Sequence, residues 1–270
     1  KNFFSKMLNV YVDNNIGMPA IEIMYISSIL KKNNDVYYTR DQNDKNINKA
    51  DYIILPSSII AHETEVDALN KLEDKKVFVT GIFANILREK YLKKHSIVVK
   101  NESDTFFFNL DKSGNLNQEY LDNLFNNKDL INEFYSTVSL DELPFPDWED
   151  YTKTYPLRNN FFSLDQKIAI PLLGTRGCPY SCFNYCTYPL QQGRKVRARS
   201  VENIIDEIKY WQKTIGANKF VFRDPVFSID RKHTIKFCEE VIKQKLAITF
   251  MVETHLNNLD DEMIKLLGAA

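Results

Sequence analysis

Short β-branched runs alternate with helical patterns twice along this chain, and that alternation restricts its fold more than any other feature. The first series extends from Leu8 to about Leu110, with strands expected in "LNVYV", "DVYYTR", "ADYIILP", "KKVFVTG" and "HSIVVK". Helical stretches such as "PAIEIMYISSILKK" and residues 63–72 separate them. Strands joined this way predict a parallel sheet with helices on both faces, a doubly wound α/β domain. The second series begins with the strand "KIAIPLL" at Lys167. A helix follows from Val201, with Ile204, Ile205, Ile208, Trp211 and Ile215 at helical spacing, Ser200 as N-cap and Gly216 as the stop. Strand "KFVFRD", a helix over 233–243, strand "AITFMV" and a helix from about Asp260 complete it.

Between the two series the composition turns to Asn, Asp and Lys, and Pro144, Pro146 and Pro156 predict an ordered but irregular connector. Trp148 and Tyr151 are expected to pack against one of its neighbours. The boundaries read as 1–112, 113–165 and 166–270. In a doubly wound sheet ligands sit beyond the carboxyl ends of the strands. Here that edge carries Asn14, Ile16, Gly17, Ser57, Ser58, Gly81, Ile82, Asn101 and Glu102.

With 270 residues, 44% of them apolar, the chain can bury two cores. Thirty-five basic against thirty-six acidic side chains leave a net charge of -1, so no global field recruits nucleic acid or an anionic membrane. No run reaches the roughly eighteen apolar residues of a membrane span, and the first residues lack the order of a signal peptide. A soluble, cytoplasmic protein is expected. Four cysteines with lopsided spacing do not form a disulfide framework, and in a reducing compartment they stay available to metal.

Three of those cysteines, Cys178, Cys182 and Cys186, fall within "GTRGCPYSCFNYCTYP" directly after a strand. Three thiolates hold one face of a cubane iron–sulfur cluster and leave one iron without a protein ligand. Structural zinc closes its tetrahedron with four ligands, and the remaining thiol, Cys238, lies on an apolar helical stripe where cysteine acts as a small hydrophobe. Zinc and unligated thiols are the other readings of the trio.

The loop together with "GRKVRARS" resembles the signature of radical S-adenosylmethionine (SAM) enzymes. "PFPDWEDY", "FVFRDPVFSIDRKHTIKFCEEV" and "ITFMVETHLNNLDDEMIKLLGAA" extend the resemblance to the cobalamin-binding branch of that family, most strongly from Leu143 to Ala270. The resemblance implies an N-terminal flavodoxin-like, cobalamin-binding α/β domain, then a partial (β/α) radical SAM barrel. Only three strands of the second series are present, so the expectation is the N-terminal half of such a barrel, in a chain that is a fragment. The usual spacing in the family is Cys-x3-Cys-x2-Cys. This chain has Cys178-x3-Cys182-x3-Cys186, as though one residue were inserted within 183–185.

By motif matching, the resemblance implies Cys178, Cys182 and Cys186 as ligands of a 4Fe–4S cluster. Tyr188 then lies near the adenine of SAM, and Arg197, Arg199, Ser200, Asp224 and Glu253 become candidate SAM contacts. Four of these have a plain alternative: a solvated basic helix entry for the two arginines, a helix cap for Ser200, an ordered turn before Pro225 for Asp224. His255 is a weaker candidate. For cobalamin, Gly17, Ser57, Ser58, Gly81 and Phe83 are the candidates, against simple turn and helix-start geometry. No Asp-x-His-x-x-Gly string is present, so no histidine from that motif is expected on cobalt.

The function implied is reductive SAM cleavage at the cluster, with cobalamin carrying a methyl group to an unactivated centre. A rearrangement or ring-forming reaction on the same cofactors is the alternative, and a non-catalytic accessory protein is a third. The expected partners are a small-molecule or cofactor-precursor substrate and a reductant such as flavodoxin or ferredoxin, with no nucleic acid and no membrane.

Overall fold

The computed structural model describes residues 20–155, 167–182 and 185–270. The expected strand "LNVYV", Asn14, Ile16, Gly17 and the Phe183–Asn184 part of the apparent insertion lie outside them. The described residues divide into two compact units, one from 22–146 with 181–192, the other from 147–180 with 193–270 and the short stretch 20–21.

In the first unit the order is α1 (Ile21–Leu30), α2 (Lys45–Lys49), β1 (Tyr52–Pro56), α3 (His62–Asn70), β2 (Lys76–Thr80), α4 (Ile82–Ile86), α5 (Arg88–Tyr91), β3 (Ser96–Val98), α6 (Ser103–Lys112) and α7 (Gln118–Asn126). The strands form a parallel sheet in the order β1-β2-β3. Strand β2 explains its own unbroken apolar sequence, because both faces are covered. Val77 and Val79 pack with Leu69, Ala84, Tyr91 and Val98 on one face. The alternate residue Phe78 meets Phe107 and Phe125 at ring separations of 5.3 and 5.0 Å.

Two expectations need correcting here. Residues 35–40 have no strand ladder among the described residues: Tyr37 is exposed and Tyr38 gives its hydroxyl to Ser27. The stretch read as an irregular connector contains α7, 3-10 turns at Lys128–Phe134 and Leu140–Glu142, and helix α8 (Trp148–Thr154). Asn117 starts α7 by accepting from the Tyr120 N–H, so the Asn-rich composition supplied a helix cap rather than a loop.

The second unit begins with α8 and continues β4 (Ile168–Leu172), β5 (Thr175–Arg176), β6 (Arg197–Ala198), α10 (Val201–Ile215), β7 (Ala217–Phe222), α11 (Arg231–Lys243), β8 (Thr249–Met251) and α12 (Asp261–Ala269), where α9 (Tyr188–Gln192) belongs to the first unit. Its main sheet is parallel, in the order β4-β7-β8, so α10 and α11 are crossover helices between adjacent strands. Helix α10 follows the sequence pattern: Ser200 caps it by accepting from the Asn203 N–H, Ile204, Ile205, Ile208 and Trp211 are buried, and Gly216 ends it at φ +69°. Phe222, Phe227, Phe237 and Phe250 form a ring cluster with centroids 4.8 to 6.3 Å apart, edge-to-face except for the tilted pair Phe227–Phe250. Trp148 and Tyr151 are buried, and α8 packs on α10.

Candidate functional site

The residues between β4 and α10 leave the sheet as a loop and return as a two-residue antiparallel ribbon, with Thr175 opposite Ala198 and Arg176 opposite Arg197. Two glycines lie on that path. Gly177 has φ +88°, and a Cβ there would lie 2.2 Å from the carbonyl oxygen of Lys195 on the returning strand. At Gly174 a Cβ would meet Asp224 Oδ2 at 3.1 Å and Ile204 Cδ1 at 3.3 Å. Gly177 is therefore a steric requirement of close backbone approach, whereas a Cβ at Gly174 would press only on side-chain ends.

Asp224, at the carboxyl end of β7, is 1% exposed. Its Oδ1 accepts the Gly174 N–H at 2.8 Å and its Oδ2 the Thr175 hydroxyl at 2.8 Å. Burial pushes its carboxyl up to about 6, against the pull of those two donors and of the Arg199 charge. Arg199 is 4% exposed. Its guanidinium pairs with Glu207 and donates to Leu173 O at 2.9 Å and Asn203 Oδ1 at 2.7 Å, while its backbone N–H donates to Gly174 O at 2.9 Å. His233 Nε2 donates to the Arg199 carbonyl at 2.8 Å. Asp224 and Arg199 thus spend their polar groups inside the protein, fixing where the cysteine loop begins and ends. Ser200 serves as the helix cap.

Asp224 carries a pH signature. Its folded value lies above the ordinary aspartate value near 3.9, so the folded chain holds the proton more tightly and stability falls as pH rises from about 4 to about 6. The Asp224→Asn chain is expected to lose that fall, because the Thr175 hydroxyl can turn from donor to acceptor. Urea midpoints of both chains between pH 4 and 7.5 measure it. An unchanged slope in Asp224→Asn would remove the assignment.

Of the three loop cysteines, Cys178 belongs to the second unit and Cys182 and Cys186 to the first. Cys178 is 5% exposed and its N–H donates to Gly193 O at 3.1 Å. Arg194 Nη1 donates to the carbonyls of Pro179 and Tyr180 at 3.4 and 3.3 Å. The Tyr180 ring stacks on His255 at 4.9 Å, and its hydroxyl donates to Asn258 Oδ1 at 3.2 Å, which ties the loop's first half to the segment after β8. In the other unit Cys182 and Cys186 are half-buried, and the Cys182 carbonyl accepts from Tyr185 N–H at 3.1 Å. Tyr188 opens α9 and is half-buried, and the helix is held by Gln191 Nε2 donating to Glu22 at 3.1 Å.

All four cysteines are free thiols. Cys238 is fully buried on α11, and burial pushes its thiol up to about 11, which suits a core residue and not a ligand. Among the described residues no three His, Cys, Asp or Glu side chains are gathered closely enough to hold a metal ion. What the chain offers a cluster is its donor chemistry: three unpaired thiols on one loop whose stem is locked. Glu253 is largely exposed at the end of β8 and pairs with Arg223 at 3.0 Å. Arg197 is half-buried on β6.

At the carboxyl edge of the first sheet, Ser57 and Gly81 fit against each other. Gly81 has φ +91°, and a Cβ would lie 2.8 Å from Ser57 O. Ser57 Oγ accepts the Ala84 N–H at 2.8 Å. Ser58 donates its N–H and hydroxyl to Glu65, which also accepts from the Tyr91 hydroxyl at 2.9 Å. Phe83 meets the His62 ring at 5.2 Å. Four of the five expected cobalamin contacts thus lie along one edge, and Gly17 is outside the described residues. Sequence reasoning missed Glu207, whose signal was an acidic residue inside the apolar stripe of α10.

No family model matches the chain. An anaerobic magnesium-protoporphyrin IX monomethyl ester cyclase of Rubrivivax gelatinosus is 29% identical over 126 residues, 46% of this chain and 21% of its own length. The protein of that description from Cereibacter sphaeroides is 26% identical over 230 residues, 78% of this chain and 36% of its own length. A cytidylyl-2-hydroxyethylphosphonate methyltransferase of Streptomyces wedmorensis is 26% identical over 133 residues, 48% of this chain and 24% of its own length. Among solved structures, OxsB with aqua-cobalamin and SAM bound superposes with TM-score 0.63 at 17% identity, over 89% of this chain and 37% of that one. TsrM from Kitasatospora setae, with cobalamin and a 4Fe–4S cluster bound, gives 0.58 at 13%, over 94% and 56%.

The fold is therefore that of the cobalamin-dependent radical SAM enzymes, α/β with parallel sheets. The homologues are anaerobic magnesium-protoporphyrin cyclases and methyltransferases, in agreement with the resemblance carried by the cysteine loop. The chain spans only 21% to 36% of the length of these curated relatives. Among the described residues no helix is long and apolar enough to cross a membrane.

Proposed function

We propose that this chain is the cobalamin- and SAM-binding part of a radical SAM enzyme, with methyl transfer to an unactivated centre as its chemistry. The observation that carries the reading is the placement of three free thiols, after the first strand of a parallel β/α series, in a fold whose solved examples hold cobalamin, SAM and a 4Fe–4S cluster. When bound, the cluster would supply the electron that breaks a carbon–sulfur bond of SAM, and cobalamin would carry the methyl group.

In this reading Cys178, Cys182 and Cys186 hold the cluster, and residues 166–270 are the first half of the barrel. Residues 1–112 form a doubly wound cobalamin domain joined to it through 113–165. Tyr188 lies along the adenine, and Arg197 and Glu253 face the polar end of SAM. Arg199, Ser200 and Asp224 act one step back, holding the stem of the loop. Ser57, Ser58, Gly81 and Phe83, with Gly17, border the corrin. The reductant is a small electron carrier such as flavodoxin or ferredoxin, in the cytoplasm.

A second reading has its own support, because the Cereibacter sphaeroides match, which extends over 230 residues, is to a ring-forming enzyme. A ring-forming reaction on a tetrapyrrole-like substrate with the same cofactors is the alternative.

Anaerobic reconstitution with iron, sulfide, a reductant and SAM tests the proposal. Iron binding, a brown thiolate-to-iron absorbance and release of 5'-deoxyadenosine are expected. Cys178→Ser, Cys182→Ser and Cys186→Ser should each lose the absorbance, while Cys238→Ser keeps it. A wild-type chain that takes up no iron would end the cluster reading. SAM labelled on its methyl group separates the two chemistries, since only methyl transfer moves the label to product.

A further inference from the structure

We propose that Glu207 is a positioning residue for the cysteine loop, acting through Arg199. Glu207 lies in the apolar stripe of α10 and is 0% exposed, a place where a glutamate is almost never found unless paired. Its Oε2 accepts from Arg199 Nη1, and its Oε1 accepts from Trp211 Nε1 at 3.2 Å. The carboxylate therefore has both oxygens satisfied, one by a donor just before α10 and one by a donor a turn further along it.

The geometry at Arg199 gives that pairing its purpose. Leu173 and Gly174 open the loop and Arg199 closes it. The Arg199 guanidinium reaches Leu173 O at 2.9 Å, and its backbone N–H reaches Gly174 O at 2.9 Å, so one residue clasps both ends. A guanidinium stays in the interior only if its charge is met there, and Glu207 is a fully buried carboxylate paired with it. Without it Nη1 would lose the carboxylate that holds it beside Leu173 O, and a shift of the guanidinium would release the carbonyl of Leu173. An apolar residue at position 207 would fill the stripe equally well, so the acid is explained by the loop and not by packing.

The inference rests on the proposed function only in treating the loop as the seat of the cluster. Hydrogen exchange on the iron-free chain tests the clasp by itself. In Glu207→Gln the amides of Arg199 and Cys178, bonded to Gly174 O and Gly193 O, should exchange at least about tenfold faster, while those of α11 keep their wild-type rates. Arg199→Lys should act in the same direction, because a point-charge ammonium cannot bridge Glu207, Asn203 and Leu173 together. In the reconstituted protein, Glu207→Gln should surrender iron to a chelator about tenfold faster, in step with the loosened amides. Should Glu207→Gln not fold, Asn203→Ala removes only the acceptor for Arg199 Nε and must show the same local acceleration.

Loop amides that exchange at the wild-type rate would overturn the proposal. So would a parallel rise over α10, β7 and α11, which is what loss of plain core stability produces. A wild-type chain without iron would instead count against the cluster and leave the exchange result standing.

Discussion

Gly177→Ala is expected to abolish iron retention and to destabilise the second unit well beyond an ordinary surface change. Two effects add. At φ +88° an L-residue sits in left-handed backbone, which costs about 1–2 kcal/mol by itself. The new methyl group would also lie 2.2 Å from Lys195 O and 2.8 Å from its carbonyl carbon, and backbone cannot step aside as a flexible side chain can. Relief requires the β5–β6 ribbon to open, and with it the pairing of Arg176 with Arg197. Gly193→Ala is the built-in control: its φ is +78°, yet nothing lies within 4 Å of the added Cβ, so only the conformational cost of about 1–2 kcal/mol remains. Urea unfolding and iron per chain, measured on both variants, separate the two effects. Equal losses in Gly177→Ala and Gly193→Ala would show that the close approach does not govern the loop.

Trp148→Ala should cost about 3–5 kcal/mol, the range for emptying a large aromatic site in a close-packed core. Trp148 is 0% exposed, meets Tyr151 edge-on at 6.4 Å, and belongs to the helix that packs on α10. Among the described residues its indole N–H has no partner. Trp148→Phe should therefore lose much less, since it keeps most of the ring and deletes a buried donor that has no partner among the described residues. A thermal or urea melt of the three chains checks the order. If Trp148→Ala melted with the wild type, α8 would be a tether after all. A loss in Trp148→Phe as large as in Trp148→Ala would show that the N–H matters.

Helix α10 was fully legible in the sequence because its signals are local: a serine cap, a stripe at helical spacing, and a glycine to stop it. The parallel strands were legible for the same reason, each being a short β-branched run bounded by breakers. Helix α7 was not, because Leu121 and Leu124 are too few to outvote the asparagines around them. Residues 35–40 have a strand's composition, but composition cannot say whether a neighbour offers a ladder. At the site, the cysteines announced themselves through spacing. The Asp224 contacts did not, since Thr175 and Asp224 are 49 residues apart and meet only once β4 and β7 pair. Arg199 was singled out for its motif, and its inward direction was fixed by Glu207, whose meaning emerges only when its burial is known.

The seclusion of Cys238 gives the chain an internal reference for covalent footprinting. Alkylating reagents attack the thiolate, and a sulfhydryl held near 11 inside α11 offers almost none of it at neutral pH. Reagent taken up by the folded chain is then a tally of the loop alone, and a mass spectrum read residue by residue can report how many of its sulfurs are already engaged. Unfolding exposes the fourth site and calibrates the count within the same molecule.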